Sequence, residues 1–397
     1  MEKAFILAAS MVRFGKYPDR SVASLGREAI SAVLADSGVA PGDIEAVFCG
    51  RSFGGAIDGQ VSVPGQVALQ GTGIEDVPVF NLDNACAAAA SALHLAIQSV
   101  RSGQYDMVLV VGMDRLFADD RKQSMRALFG AMDVEKMAWI GETIESDGPV
   151  GSVFMDNYYA RVAREYLAET GATPEDYARV AVKNRHHAGF NPFAQYRKPL
   201  TVEDVMASPM VAEPLRSLMC SPLTDGAAAM IVCSRAAGAR YEGPLVEVAA
   251  SAVRSGKPVL GDAEPLVSRA ARQAYDEAGI GPDDVDFLEV HDASAVAELI
   301  ATEEICLVPR GEGLRMLRDG TTALGGAKPV NLSGGLLSRG HPGAATGASQ
   351  LVELVWQLQG RAQGRQLEAP RHGLAHSAGG AVGDEPGAIA ITILARN

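Results

Sequence analysis

Cysteine is scarce in this chain. Five residues, Cys49, Cys86, Cys220, Cys233 and Cys306, are spread over 397 positions. The number is odd, and no two stand at the short spacings of a disulfide framework or a Cys-x-x-Cys metal site. The chain therefore fits neither a stapled secreted scaffold nor a structural zinc protein, and a reducing cytoplasm is the expected compartment. Basic residues are in deficit: 35 Lys and Arg face 48 Asp and Glu, a net charge of −13. Without a basic cluster, neither nucleic acid nor an anionic membrane surface is an expected partner. No apolar run reaches the ~20 residues that a membrane-spanning helix needs. What is plentiful is hydrophobic residues, 47%, and glycine, 43 residues. That composition suits a large globular core with tight turns and closely packed helices.

The chain repeats itself. Ala8-Ala9-Ser10-Met11-Val12-Arg13-Phe14-Gly15-Lys16 matches Ala249-Ala250-Ser251-Ala252-Val253-Arg254-Ser255-Gly256-Lys257 at seven of nine positions, 241 residues apart. The same offset carries Gly38, Pro41 and Asp43 onto Gly279, Pro282 and Asp284. Met1–Val12, with Lys3 and a short apolar run, has the outline of a signal peptide. A segment that recurs in mid-chain is instead a folding unit.

Each half reads in the same order. A strand (Ala4 to Ala9; Leu245 to Ala250) precedes a helix with apolar residues at helical spacing, a Gly-x-x-Pro turn and a second strand (Ile44 to Phe48; Val285 to Val290). A further strand and helix follow, then two closing strands. Alternating strands and helices predict an α/β fold with a mostly parallel sheet covered on both faces. Two such βαβαβαββ units stacked through helices give a five-layered α-β-α-β-α body. The expected division is residues 1–112 with 219–240 as the first half, 113–218 as an inserted loop domain, and 241–397 as the second half. The insertion contains a helix expected over Asp176 to His187 and a capped helix start at Thr201-Val202-Glu203-Asp204. Long insertions after a strand commonly cover an active site, though a dimerisation arm is the other reading.

Three short stretches carry candidate chemistry. Cys86 ends Asn81-Leu82-Asp83-Asn84-Ala85-Cys86, between a buried strand ending in Val77-Pro78-Val79-Phe80 and an alanine-rich helix. Unpaired amides and the macrodipole at a helix N-terminus favour a thiolate. A lone cysteine is also a common packing residue, so the reading needs partners. His341 sits in Gly340-His341-Pro342-Gly343, a turn that presents one side chain in a defined place. His291-Asp292 follows the strand Val285 to Val290, where ligand sites of open sheets lie. The repeat places Cys86 and His341 in related turns, which a pseudo-twofold axis would bring together.

Asn-Ala-Cys before an alanine-rich helix, His-Asp-Ala at a strand end and Gly-His-Pro-Gly-Ala together resemble the thiolases. The likeness is to the sterol-carrier-protein and archaeal branch and covers essentially the whole chain. It includes Cys220-Ser221-Pro222-Leu223-Thr224-Asp225-Gly226-Ala227 and the closing Gly379-Gly380. The resemblance implies a coenzyme-A-dependent acyltransferase of Claisen type. Cys86 would accept the acyl group and His341 would take its proton. His291 and His341 would hold the enolate oxygen of the second thioester, and the amides of Cys86 and Gly379 would form the other oxyanion hole. Such chemistry needs a thiolate, a proton shuttle and donors aimed at developing negative oxygen. Acyl-CoA and CoA would be substrates, with no permanently bound cofactor and no metal. A homodimer or tetramer is expected, and a small zinc-ribbon and OB-fold protein is a further partner that the branch suggests.

One departure stands out. Most thiolases carry a second cysteine near the C-terminus, where this chain has Ser377. Some sterol-carrier-protein thiolases carry it after His-Asp, where this chain has Ala293. His291 is therefore expected to supply the acid/base step. Asp292 would orient His291 or merely accept backbone donors. The acyl pocket is expected along the insertion, at Met132, Phe154, Met155 and Tyr158. Cys49, Cys233 and Cys306 read as packing residues and Cys220 as structural. His186-His187 read as bordering the insertion, and Gly334-Gly335 and Gly379-Gly380 lack the Lys-Ser/Thr of a phosphate loop. Two rival functions remain. Relatives that perform retro-aldol cleavage of CoA-linked side chains lack the nucleophilic cysteine, and a non-catalytic assembly subunit would channel CoA intermediates.

Overall fold

The computed structural model describes residues 2–135, 156–256, 264–382 and 385–397. Lys257, in the repeat, and Phe154 and Met155, expected in the acyl pocket, lie outside them. Eleven strands occur among the described residues: β1 (Ala4–Met11), β2 (Ala46–Gly50), β3 (Val79–Leu82), β4 (Met107–Arg115), β5 (Met210–Ala212), β6 (Leu215–Arg216), β7 (Asp225–Ser234), β8 (Val246–Ser255), β9 (Phe287–Glu289), β10 (His372–Val382) and β11 (Glu385–Arg396).

Nine of them form one sheet in the order β3-β2-β4-β7-β1-β8-β11-β10-β9. The second four mirror their counterparts in the first five, and the bridge Leu288–Val330 marks where a counterpart of β3 would lie. The repeat seen in the sequence is thus a repeat of topology. The helices Val22–Ser37 and Leu266–Ala278 both stop at a left-handed glycine, Gly38 (φ 69°) and Gly279 (φ 68°), a conformation that costs glycine least. The turns Pro41–Asp43 and Pro282–Asp284 follow each of them.

The sheet is mixed, which corrects the expectation of a mostly parallel one. β2 runs parallel to β3 and β4, and β9 parallel to β10. β7 is antiparallel to β4 and β1, and β11 to β10 and β8. The closing strands of each half return beside their predecessors, so the crossover rule for parallel pairs does not apply to them. A second correction concerns β3. It is an edge strand, and Phe80 is 42% exposed, stacked on Phe48 at 4.9 Å, rather than part of a buried strand.

The layers follow from amphipathic helices. Val22–Ser37 covers β1, β4 and β7, and Leu266–Ala278 covers β8 and β11. Ala88–Arg101 and Ala345–Leu358 pack on each other and on strands of both halves, forming the middle of an α-β-α-β-α body. Small residues let them come close. A Cβ on Gly112 would lie 2.6 Å from the Ala89 Cβ, and one on Gly347 would lie 3.0 Å from the Ala90 Cβ. Among the described residues, the halves' strands pair directly only through two residue pairs of β1 and β8.

The insertion holds the helices Arg121–Phe129, Arg161–Thr170, Pro174–Gly189 and Val202–Met206. The last begins as read from sequence: Thr201 and Asp204 form a reciprocal capping box. Tyr166, Tyr177 and Leu215 of the insertion share a buried cluster with Val296, Leu299 and Leu314 of the second half, so this region packs against the helices Ala295–Glu304 and Glu312–Arg318.

Candidate active site

Cys86 is carried by a strained turn. β3 ends at Leu82, and Ala85 adopts φ +49°, in the left-handed region that disfavours a side chain. The Asp83 carboxylate accepts the Ala85 N–H at 2.8 Å, and the Asn84 amide donates to Ser91 Oγ at 2.9 Å. The alanine-rich helix starts at Ala88 as expected. Across the turn lies Gly379 on β10. A Cβ there would sit 2.0 Å from the Asn84 carbonyl oxygen and 2.8 Å from the Ala87 nitrogen, so only glycine fits.

His341 comes from the other half. Gly340 (φ +113°) and Gly343 (φ +41°) bracket its turn. Its N–H donates to Thr224 Oγ1 at 3.1 Å, and its Nδ1 lies 2.7 Å from Thr346 Oγ1. Its Nε2 lies 3.3 Å from Cys86 Sγ. When Nδ1 donates to Thr346, the Nε2 lone pair faces the thiol, as a general base requires. The His291 ring stands edge-on to the His341 ring, with centroids 5.1 Å apart. Cys86, His291 and His341 thus present a sulfur and two ring nitrogens within 4.8 Å of one another. That donor set is also one a zinc ion could accept.

The other residues read from sequence sit close by but face elsewhere. The Asp292 carboxylate accepts the Leu336 N–H at 2.7 Å and the Asn184 amide at 2.8 Å. It anchors the short helix Gly335–Ser338 that leads into the His341 turn. Of the two alternatives for Asp292, the hydrogen bonds fit the acceptor of backbone donors. Ser377 donates to Gln350 Oε1 on the central helix, while its neighbours His376 and Ala378 line the cavity. His187 is buried, with Nδ1 3.0 Å from the Asn331 carbonyl and Nε2 accepting the Leu324 N–H at 2.9 Å.

Two groups escaped the sequence reading. Asp114 is fully buried at the end of β4 and accepts the N–H groups of Gly54 (2.6 Å), Arg115 (3.0 Å) and Ala344 (3.0 Å). It ties the His341 turn to the first half, and burial pushes its carboxyl up to about 6. His376 is the second. Both belong to strands whose sequences read only as buried, and a single charged residue in such a run was the available signal for Asp114.

A cavity of about 670 Å³ opens on these groups. Cys86, His291, His341 and His376 line one part, and Phe53, Leu116, Met125, Leu128 and Leu223 an apolar part. Met132 and Tyr158, expected there, do line it, and Lys16, Arg121 and Arg161 also face it.

The electrostatics correct one expectation. Burial, and then the Asp114 carboxylate, push the Cys86 thiol above its ordinary value, against the pull of its own backbone N–H. The helix end does not win, because the amides of Ala87 and Ala88 close the turn onto the carbonyls of Asn84 and Ala85. Burial and the Arg339 guanidinium hold His341 down to about 3, and burial and the neighbouring imidazoles hold His291 well below its usual range. The resting pair is a neutral thiol and a neutral imidazole. With the acid form favoured, the thiolate fraction rises with pH. Alkylation by iodoacetamide should therefore accelerate about tenfold per pH unit between pH 6 and 9. A plateau beginning near pH 7 would show a preformed ion pair instead.

Comparisons with known proteins identify the family. Residues 4–236, more than half the chain, match the family described as Thiolase, N-terminal domain, and residues 263–392 match Thiolase C-terminal domain-like. The chain belongs to the thiolases. It is 37% identical over 388 residues to an acetyl-CoA acetyltransferase of Methanothermobacter thermautotrophicus, covering 96% of this chain and 98% of that one. It is 36% identical to the benzoylsuccinyl-CoA thiolase subunit BbsB of Thauera aromatica, covering 95% of each. Among solved structures, the Ltp2-ChsH2(DUF35) aldolase superposes with a TM-score of 0.80 at 25% identity, over 99% of this chain and 98% of that one. This thiolase-family enzyme is a CoA acyltransferase, and CoA esters are the substrates its family implies. No helix among the described residues is long and apolar enough to cross a membrane.

Proposed function

We propose that this thiolase cleaves or forms a 3-oxoacyl-CoA through an acyl group carried on Cys86. The observation that carries the reading is the 3.3 Å approach of the Cys86 sulfur to His341 Nε2. In the cleavage direction, His341 takes the thiol proton as the sulfur attacks the 3-oxo carbon. The C2–C3 bond then breaks, leaving an acyl-cysteine and the enolate of a shorter acyl-CoA. The amides of Cys86 and Gly379 would hold the first oxyanion, and His291 and His341 the enolate oxygen. His291, whose ring stands 5.1 Å from that of His341, would receive the thiol proton from it and deliver that proton to C2, in place of the second cysteine missing at Ser377 and Ala293. Free CoA, losing its thiol proton to the same imidazoles, then attacks the acyl-cysteine and restores the thiol. Thr346 would be the positioning residue that sets the His341 tautomer.

The acyl group is read as larger than acetyl. Support comes from the size and apolar lining of the cavity beside Cys86 and from the relative named for benzoylsuccinyl-CoA. Residues 1–112 with 219–240, 113–218 and 241–397 are proposed as first half, inserted loop domain and second half. The exposed edge of β3 suits self-association, since unpaired edge strands invite another chain. A small DUF35-type partner is proposed from the aldolase neighbour, whose description joins two components.

A second reading, retro-aldol cleavage of a CoA-linked side chain, is favoured by the superposition on that same aldolase. The Cys86–His341 pair weighs against it. The test is a panel of 3-oxoacyl-CoA esters with CoA, run with and without such a partner, on the wild type and on His291→Ala. Thiolysis with a long or aromatic acyl preference, a Cys86 mass increase equal to the acyl group, and a His291→Ala rate at least ~100-fold lower are expected. Release of an aldehyde or ketone without acylation would favour the lyase, and full thiolysis by His291→Ala would refute its acid/base role.

A further inference from the structure

His376 is the one imidazole facing the cavity that neither the sequence reading nor the proposed mechanism uses. β10 alternates there: Ser377 turns to Gln350 on the central helix, while His376 and Ala378 turn to the cavity shared with Cys86, His291 and His341. The His376 residue is 4% exposed, so its ring is fixed by packing. The backbone N–H of His291 donates to its Nδ1 at 3.4 Å. Nδ1 is therefore the acceptor nitrogen, and the neutral ring carries its proton on Nε2. That Nε2 is buried and has no hydrogen-bond partner among the described residues. Buried donors in folded proteins are nearly always satisfied, and an orphan calls for an explanation such as a missing ligand.

We infer that His376 is a further catalytic residue, a neutral hydrogen-bond donor whose Nε2–H binds an oxygen of the CoA ester beside His291. The inference rests on the thiolase reading and adds a third imidazole to the two already assigned to the enolate oxygen. The same hydrogen bond that aims His376 also couples it to His291, because the His291 backbone is its anchor. His376 is not the proton carrier that replaces the missing cysteine. In this tautomer its Nε2 has no lone pair to receive a proton, and donation of its only proton would leave an imidazolate. A preformed donor aimed at developing charge stabilises it without reorganisation during the reaction.

The experiment compares wild type, His376→Ala and His376→Gln in acetoacetyl-CoA thiolysis. Glutamine keeps an N–H donor but cannot relay protons, so it separates donation from acid–base work. His376→Ala is expected to lower kcat/KM by about 100-fold. His376→Gln should recover at least about tenfold of that loss, and iodoacetamide should label Cys86 in both variants at the wild-type rate, showing an intact Cys86–His341 pair. Wild-type kcat/KM in His376→Ala, or no recovery in a normally labelled His376→Gln, overturns the inference. A calorimetric titration of acetoacetyl-CoA into Cys86→Ala, with and without each His376 change, gives an answer that needs no turnover. A Kd about tenfold weaker with alanine and restored with glutamine supports His376 as donor even if the wild type fails as a thiolase. An unchanged Kd, or no binding of the ester to Cys86→Ala, overturns it.

Discussion

Cys86→Ala should abolish acyl transfer, with kcat falling by about 10⁴-fold or more while the protein keeps its fold. The size of the effect follows from the role. Without the sulfur no covalent intermediate forms, and the remaining donors can only polarise a carbonyl that nothing attacks. The structural cost should be small, because the residue is only part-buried, a methyl group fits the space, and the turn is held by Asp83, Asn84 and Ser91 rather than by the thiol. Thiolysis of a 3-oxoacyl-CoA ester and intact-protein mass measure both halves of the expectation. The same variant separates the rival chemistries. Retro-aldol cleavage needs acid–base groups but no nucleophile, so a lyase would lose little, and a retained rate in Cys86→Ala would overturn the acyl-cysteine mechanism.

Gly379→Ala is expected to cost about 10²–10³-fold in rate with one added carbon. Its Cβ would stand 2.0 Å from the Asn84 carbonyl oxygen, 2.8 Å from the Ala87 nitrogen and 2.9 Å from the Ala87 Cβ. None of these contacts is the end of a flexible side chain. Either β10 retreats or the Cys86 turn does, and in both cases the two amides proposed to share one oxyanion part company. Losing one such donor lowers kcat by about 10²–10³-fold, and overpacking a close contact costs a further ~1–3 kcal/mol of stability. The control is Gly42→Ala, where a Cβ would meet nothing within 4 Å. Thermal melts and thiolysis rates on the two variants should separate sharply. A Gly379→Ala enzyme with wild-type kcat would remove that amide from the mechanism.

Much of this architecture was readable beforehand, for physical reasons. The duplicated Ala-Ala-Ser-x-Val-Arg-x-Gly segments and the matching Gly-x-x-Pro turns revealed the two halves because both features fix backbone geometry locally. Strand direction was not legible in the same way. β7 and β11 are dominated by the largely apolar runs 227–233 and 388–394, and such a run is equally compatible with parallel and antiparallel neighbours. The exposed edge at Phe80 was missed for a related reason, since an aromatic residue at a strand end looks the same whether it packs inside or stacks on a rim. Cys86, His341 and His291 can be singled out as candidates because each sits in a turn with its own signature. Asp114 and His376 lie within strands, where the local spacing does not announce that one side chain ties the His341 turn to the first half and the other lines the cavity. The charge state of Cys86 is not legible locally, because proximity to a helix end is visible in sequence, whereas burial and the Asp114 carboxylate come from segments far away.

The seam between the two lobes has a mechanical meaning. The sulfur belongs to one lobe and the rings to the other, and their spacing is set by alanine and glycine faces pressed together with no room for a methyl group. Few covalent or sheet links enforce that spacing directly. A slight parting of the lobes would leave every strand and helix intact yet separate the reacting atoms, so turnover should report on the tightness of this junction long before spectroscopy detects any loss of structure.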